Sequence, residues 1–572
     1  MQIAEPAKAC ALASRKVVSQ LPLVDGLLRK VQSLWNAETI TSVEWIAAGL
    51  AVTLCLSMHV VVFDRSGGLW RDEASSVGMA NKTWSEQYRL SGFDSFPMGW
   101  LALVRGWTAI AGQSDESLRF LGLIGGCLLV VSFCTSARQL GFGFPFIALV
   151  CCAINPGFVY WGDSIRAYGF GGAVVVLLAG AFWRLGQSVN WLTVTTSLLL
   201  SLAAVSLQHT NCFLVGAVAA AACVIALRRH RRPETIAILG VAGLAALSTV
   251  LQINALRMRL TYVHPLNASN IVSWSDLWET FAQTLGAGQP FMVWIWIGIL
   301  CVAIGFATLL QFLRRRKAVD FRSTDLALYA LLVILISTAA EMLFLKHFDQ
   351  VPKTSYYFSL LSLTAVMIEA CFQPLLRAFL SVRAFRALGS LAMVIALTPT
   401  SWADVHLHHS NIEGLCDFLH QNATPGDLVV VQPWFLTLTV DRYYHGPAPW
   451  IGVPDWPDKS INRYDEVMKM EASADPCGPA LDRIGATLAN HHSVWIVGGL
   501  NVPPAGLLPP KLAAAPDPKV GWDWQAYVRA WSLQVGEYVQ QHAQTATVLP
   551  QTNDLPLDGM EDVSLVRLTG TQ

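Results

Sequence analysis

Asp72 and Glu73 stand side by side in LWRDEASSVG (69–78), just past the first long apolar segment. Adjacent carboxylates where an apolar helix opens into water are costly to place, and general-base or cation-binding chemistry is the usual reason for them. More polar groups recur at similar positions further along. YWGDSIRAYGF (160–170) carries Asp163, Arg166 and Tyr168, and QHTN (208–211) carries His209. KHFDQVPKTSYYF (346–358) adds Lys346, His347, Lys353 and Tyr356. A carboxylate can take a proton from an acceptor hydroxyl, and cations can hold a departing phosphate as its charge develops. Such a set suits group transfer from a lipid phosphate whose tail lies in a bilayer.

The elements that must position these groups are apolar. Of 572 residues, 53% are apolar and 14% charged, and the mean hydropathy is +0.45. A soluble domain averages ~25% charged residues, so the chain reads as a polytopic membrane protein. The formal net charge is zero, which makes no case for nucleic acid. Residues 1–41 are polar and basic before the first apolar stretch and do not look like a cleaved signal peptide. Most of the twelve cysteines fall in apolar runs, where they act as small hydrophobes. Cys416 and Cys477 lie in the tail, and spacing leaves open whether they are bridged.

Apolar runs able to cross a ~30 Å core begin near residues 45, 119, 144, 168, 191, 211, 234, 290, 325, 355 and 386, about eleven spans. A further run, 97–111, holds Arg105 at its middle and would cover only ~22 Å as a helix. Basic residues cluster at 228–232, 314–317 and Arg377/Arg383/Arg386, as well as in the N-terminal tail. All four clusters share one face if 97–111 does not cross, and that face is the cytoplasm by the positive-inside rule. The segment is therefore expected to lie in the outer interface, anchored by Trp100 and Trp107. The N-terminal tail places Val18, Leu21, Val24, Leu28 and Val31 near helical spacing and suits the inner leaflet.

This topology puts 64–117, 161–167, 208–210, 254–289, 346–354 and everything past about 402 outside. The expected fold is mainly α: a membrane helical bundle with juxtamembrane helices and a C-terminal α/β domain. Its divisions are a cytoplasmic amphipathic tail (1–41), a transmembrane domain (42–401, including the first loop 64–117) and an extracytoplasmic domain (402–572). DLVVVQP (427–433) and SVWIVGG (493–499) read as strands of the last, and TPGD (424–427) as a turn.

In this order the motifs resemble the GT-C membrane glycosyltransferases, specifically the bacterial group related to protein O-mannosyltransferases and the lipid A aminoarabinose transferase. LWRDEA resembles that group's acidic loop after the first helix. SFPMGWLALVRGWTAIAGQSDESLRFLGLIGG (95–126) resembles its next conserved stretch, reduced at the start to Ser95-Phe96-Pro97 where the family has His-Pro-Pro. YWGDSIRAYGF, SLQHTNCFL (206–214) and ATPGDLVVVQPWFLTLTVDRYYHG (423–446) resemble later family motifs. The likeness is patchy but runs in order over nearly the whole chain.

The resemblance implies an inverting glycosyltransferase of the bacterial inner membrane with a periplasmic site. A sugar would pass from a polyprenyl-phosphate donor to a lipid, glycan or protein hydroxyl. Asp72 falls on the family's first-loop aspartate and would be the base, with Glu73 holding the loop. Arg166 and Tyr168 match an Arg-x-Tyr motif, and Asp163, one place before the family's glutamate, would be the second catalytic carboxylate, orienting Arg166 or binding a cation with Asp72. His209 matches a motif histidine, and Lys353 stands where an arginine is common. Glu73, Arg166, Tyr168, His209, Lys346, Lys353 and Tyr356 would then line the substrate and phosphate site. Asp72 and Asp163 could share a divalent cation, since some relatives use one and others do not.

Plainer readings stand beside these. The acidic pair could cap a juxtamembrane helix, Arg166 could snorkel beside Asp163, and the two lysines could be solvated interface residues. His406, His408, His409, His491 and His492 lack zinc-ligand spacing. A transporter or flippase for a lipid-linked substrate is the alternative from another class, although few charges fall mid-span, Glu369 being one. A GT-C-fold partner without activity is the third reading.

Overall fold

The computed structural model describes residues 37–267, 271–286, 289–315, 321–504, 512–550 and 556–571. The N-terminal amphipathic segment and part of the 314–317 cluster lie outside these. The protein is a polytopic helical bundle with a β-containing C-terminal domain. Among the described residues, nine helices are long and apolar enough to cross a membrane. The first is Ala37–Arg65 and the last Leu380–Asp404. A further apolar pair, Phe146–Ala153 and Pro156–Asp163, is bent by 80° and makes a tenth span if the two cross as one. Pro156 offers no N–H and cannot continue the first helix, while Asn155 starts the second by accepting from the Gly157 and Phe158 amides at 3.0 and 3.4 Å. The eleventh apolar run forms Trp191–Leu207, a shorter helix of 17 residues. The eleven expected runs are thus all helical, with nine of full length. Large apolar side chains stay exposed on many of them, among them Leu199, Trp294 and Ile395, as lipid-facing surfaces require.

The chain folds into two compact units. One comprises Met1–Phe63, Arg119–Leu251 and Val272–Val405; the other comprises Asp64–Leu118, Gln252–Ile271 and His406–Gln572. By packing, the first loop therefore belongs to the unit of the C-terminal domain.

Within the bundle unit, glycines allow close helix approach. A Cβ on Gly122 would lie 1.9 Å from the Asp163 carbonyl oxygen, and one on Gly126 would meet the Asp163 carboxylate and His59. Charges near the other helix ends are mutually paired. Arg229 and Arg314 converge on the buried Asp325. Arg383 and Arg386 hold Glu44, and Arg386 also reaches Glu369 at 2.7 Å. The basic clusters are thus partly neutralised by carboxylates distant in sequence.

The second unit holds a five-stranded sheet in the order β3–β2–β4–β7–β5. Its strands are β2 (Leu428–Val431), β3 (Trp450–Gly452), β4 (Val494–Val497), β5 (Ala543–Leu549) and β7 (Leu565–Thr571). β2 runs parallel to β3 and β4, while β7 is antiparallel to β4 and β5. A short parallel pair joins β1 (His408–Ser410) to β6 (Leu557–Glu561). Strand alternation splits the core in two. Leu428, Val430, Val494 and Ile496 face one layer, which contains Cys477. Val429, Val431, Trp495 and Val497 face the other, which contains Cys416. The two cysteines are free thiols on opposite sides of the sheet.

The TPGD turn has a structural task. Asp427 accepts from the Ser493 amide at 2.8 Å and the Trp495 indole at 3.2 Å, tying the start of β2 to β4. Burial opposes its charge, but these bonds and those from Thr424 outweigh it and hold the carboxyl below its ordinary value.

Candidate functional site

Asp72 and Glu73 open the helix Arg71–Asn81, and the fold treats them differently. Glu73 is fully buried, whereas the Asp72 side chain keeps 24% of its surface exposed. The Arg71 guanidinium stands beside Asp72, with Nε 3.9 Å from Oδ1. Successive helical residues point ~100° apart, and here the inward-facing run begins at Glu73 and continues through Val77.

The helix is fixed along its length. Ser75 Oγ accepts from the Asn462 amide and side chain, both at 3.2 Å. The next residue, Ser76, donates to the buried Asp94 at 2.8 Å. Gly78 passes so close to residue 460 that a Cβ would sit 2.0 Å from its carbonyl oxygen. Asp94 also accepts from the Phe96 amide at 3.0 Å, which fixes the Ser95-Phe96-Pro97 stretch. Pro97 starts the helix Met98–Ala111, which packs on Arg71–Asn81. At 14 residues it is not among the spans. Trp100 was expected to anchor in an interface; instead it is 1% exposed and packs near Phe96. Trp107 is half-buried and donates to the Ser117 carbonyl at 3.0 Å.

The C-terminal domain grips the same loop through the helix Thr437–Tyr443. Arg442 pairs with Asp115 and donates to the Gln113 carbonyl at 2.9 Å. The Tyr443 hydroxyl donates to Asp115 and accepts from the Leu69 amide. Burial and Asp115 push the phenol well above its ordinary range, so it remains a donor.

In the bundle unit, Asp163 ends the second helix of the bent pair and is 3% exposed. Both its oxygens face His59 Nδ1, at 2.8 and 2.9 Å, and Arg119 supplies a nearby positive charge. His59 sits inside the first apolar helix and was missed in the sequence reading because its partner lies 104 residues away. Arg166 is 4% exposed, in the bend between Asp163 and the helix Tyr168–Leu185. It is therefore buried rather than snorkelling. Tyr168 is buried with its ring centroid 5.3 Å from that of Trp161.

His209 is half-buried in the turn that joins Trp191–Leu207 to Asn211–Arg228. Its neighbour Gln208, also missed, accepts from Ser359 at 3.1 Å. Lys346 is a third exposed, 3.8 Å from Asp349. Lys353 is exposed at the start of the short turn Thr354–Tyr357, and Tyr356 is half-buried there. Glu341, buried in the helix Phe321–His347, was also missed. No protein donor reaches either of its oxygens among the described residues.

Among the described residues, no three or more His, Cys, Asp and Glu side chains gather as a metal site. The histidines of 406–410 and 491–492 belong to no such group. Asp72 and Asp163 belong to different compact units.

No family model and no curated protein matches this chain. Solved structures are similar at low identity. The Archaeoglobus fulgidus oligosaccharyltransferase, in a complex with zinc and sulfate, aligns at 13% identity and TM-score 0.44, over 79% of this chain and 67% of that one. AglB from the same organism, with an inhibitory peptide and a dolichol-phosphate, aligns at 13% and 0.46, over 79% and 69%. ArnT from Cupriavidus metallidurans, bound to undecaprenyl phosphate, aligns at 12% and 0.33, over 91% and 98%. At these values the likeness says nothing of this chain's substrate or chemistry.

Proposed function

We propose that the protein is an inverting glycosyltransferase of the GT-C kind, in the bacterial inner membrane with its site on the periplasmic side. The donor is a sugar on a polyprenyl phosphate, and the acceptor is a hydroxyl of an envelope lipid, glycan or protein. The observation that supports this most is the asymmetry of the acidic pair. Asp72 keeps a partly exposed carboxylate on a helix fixed at Ser75, Ser76 and Gly78, while Glu73 is buried. A general base needs that combination of access and fixed direction.

In this reading Asp72 takes the acceptor proton as the hydroxyl oxygen attacks the anomeric carbon. The bond to the phosphate breaks with its electron pair, and the configuration inverts. Arg166 and Lys353, with His209, are the proposed cations for the leaving phosphate. Asp163 is assigned to orienting His59, because both of its oxygens are directed there.

The test compares envelope lipids and glycans by mass spectrometry in cells carrying wild-type or Asp72→Asn protein at equal expression. Loss of one glycosylated species in the variant supports the reading. An unchanged profile overturns it. Copurification of a polyprenyl phosphate with both forms would further separate an enzyme from a fold without donor.

A further inference from the structure

The helix that carries Asp72 begins without a cap of its own. Trp70 occupies the N-cap position and makes no side-chain capping bond, so the first-turn amides need acceptors from elsewhere. One acceptor comes from 490 residues away. Glu561 Oε1 accepts from the Arg71 backbone N–H at 2.9 Å.

Glu561 is itself held in place. It ends β6, opposite Ser410 of β1, and its carbonyl accepts from the Asn411 amide at 3.3 Å. The residue is 2% exposed, and its carboxyl accepts from Thr439 Oγ1 at 3.2 Å and from the Ser410 side chain. Thr439 lies on Thr437–Tyr443, the helix that grips Asp115 and Leu69. A carboxyl oxygen at a helix start also meets the positive end of the helix dipole. Burial of Glu561 therefore has a local return in fixing that start.

A second contact acts on the side chain. The Arg71 guanidinium lies over the Phe435 ring, 4.4 Å from its centroid, while its Nε stands 3.9 Å from Asp72. An arginine stacked on an aromatic face loses much of its freedom to swing.

We infer that Glu561 and Phe435 are positioning residues for Asp72: Glu561 fixes the start of its helix, and Phe435 fixes the guanidinium beside its carboxylate. The C-terminal domain is thereby part of the machinery that aims the base. This rests on the reading of Asp72 as the base, and neither residue touches the reacting atoms. Small displacements of a catalytic group cost rate steeply, up to ~100-fold for ~1 Å.

The experiment uses the full chain with Glu561→Leu, Glu561→Gln, Phe435→Leu and Asp72→Asn. Hydrogen exchange is measured on protein in lipid nanodiscs. The envelope species absent from the Asp72→Asn cells is quantified in cells carrying each variant. Glu561→Leu is expected to lower protection of the amides around 71–74 by roughly tenfold, with β2 and β4 unchanged, and to lower the product at least as much. Glu561→Gln keeps an acceptor oxygen and should restore both to within about threefold. Phe435→Leu should leave protection intact and still lower the product severalfold.

Wild-type protection and product in Glu561→Leu would overturn the role of Glu561. Wild-type product in Phe435→Leu would overturn the role of Phe435. If Glu561→Leu also loosens β2 and β4, failure of Glu561→Gln to restore product overturns the positioning role, and restoration supports it. Product retained in Asp72→Asn sinks the base reading instead, while the exchange result still decides whether Glu561 caps the helix.

Discussion

Leu69 donates its backbone N–H to the hydroxyl of Tyr443 at 2.6 Å, across 374 residues of sequence. The same hydroxyl donates to Asp115. One phenol thus pins both ends of the first loop, just before Arg71–Asn81 and just after Met98–Ala111.

Tyr443→Phe removes both bonds and leaves the Leu69 amide and the Asp115 carboxylate short of a partner in a partly buried setting. The expected cost is about 1–3 kcal/mol, concentrated in the loop. Hydrogen exchange should show faster exchange in 66–72 and 113–117 with little change in β4. Uniform destabilisation of the sheet would contradict a local role.

The acidic pair should separate cleanly on mutation. Asp72→Asn is nearly isosteric at a partly exposed position and should fold normally while product formation falls by ~100-fold or more, as loss of a general base implies. Glu73→Gln, at a fully buried position, should act on stability, with residual activity following the folded fraction. Thermal unfolding beside product yield distinguishes the two, and equal losses of yield per folded molecule would refute the asymmetry.

Asp163→Ala leaves His59 buried without its carboxylate. The expected cost is about 3–5 kcal/mol if the pair is charged, and lower expression of the membrane-inserted protein should result. The double variant His59→Leu, Asp163→Leu should recover part of that loss, since replacing both partners avoids an orphaned polar group. A double variant no better than Asp163→Ala would argue for steric crowding at Gly122 and Gly126 instead.

Glu471 gives a pH dependence of defined sign. It is 1% exposed at the end of the helix Tyr464–Glu471, and neither of its oxygens has a protein donor among the described residues. Burial first, then the negative Asp523, push its carboxyl up to about 8, with the Tyr527 phenol also nearby. The folded state therefore holds a proton that the unfolded state releases above its ordinary value of 4.5. Its stabilising share is full below that value and fades as pH rises through about 8. Glu471→Gln should raise the melting temperature of this domain at pH 8 by several degrees and change it little near pH 4.5, as followed by tryptophan fluorescence. A gain of equal size at both pH values would refute the assignment.

Much of the architecture was legible because it is local. All eleven apolar runs are helical, ten as one element and that of 144–163 as a bent pair, since hydrophobic length is written residue by residue. DLVVVQP and SVWIVGG became adjacent parallel strands, since short β-branched runs bounded by turn residues have few other uses. The break at Asn155-Pro156 was readable in principle, as proline chemistry acts on its own backbone, but the hydropathy of 144–163 masked it.

The candidate site divides along the same line. Composition and spacing pointed to Asp72 and its neighbour, and to Asp163, Arg166 and His209 at helix ends, and the family resemblance added Tyr168. Which carboxylate of the pair stays in water was decided by Asn462, Ser460 and Asp94 closing around one helix face. His59 against Asp163, Tyr443 against Leu69 and Glu561 against Arg71 join residues 104, 374 and 490 positions apart. A hydrogen bond depends on donor and acceptor meeting within about 3 Å, and no periodicity along the chain encodes such a meeting. The sequence by itself determined a membrane bundle with acidic and basic groups at its helix ends. Only the tertiary structure decided how each was held, because burial and partnership belong to packed surfaces and to no residue alone.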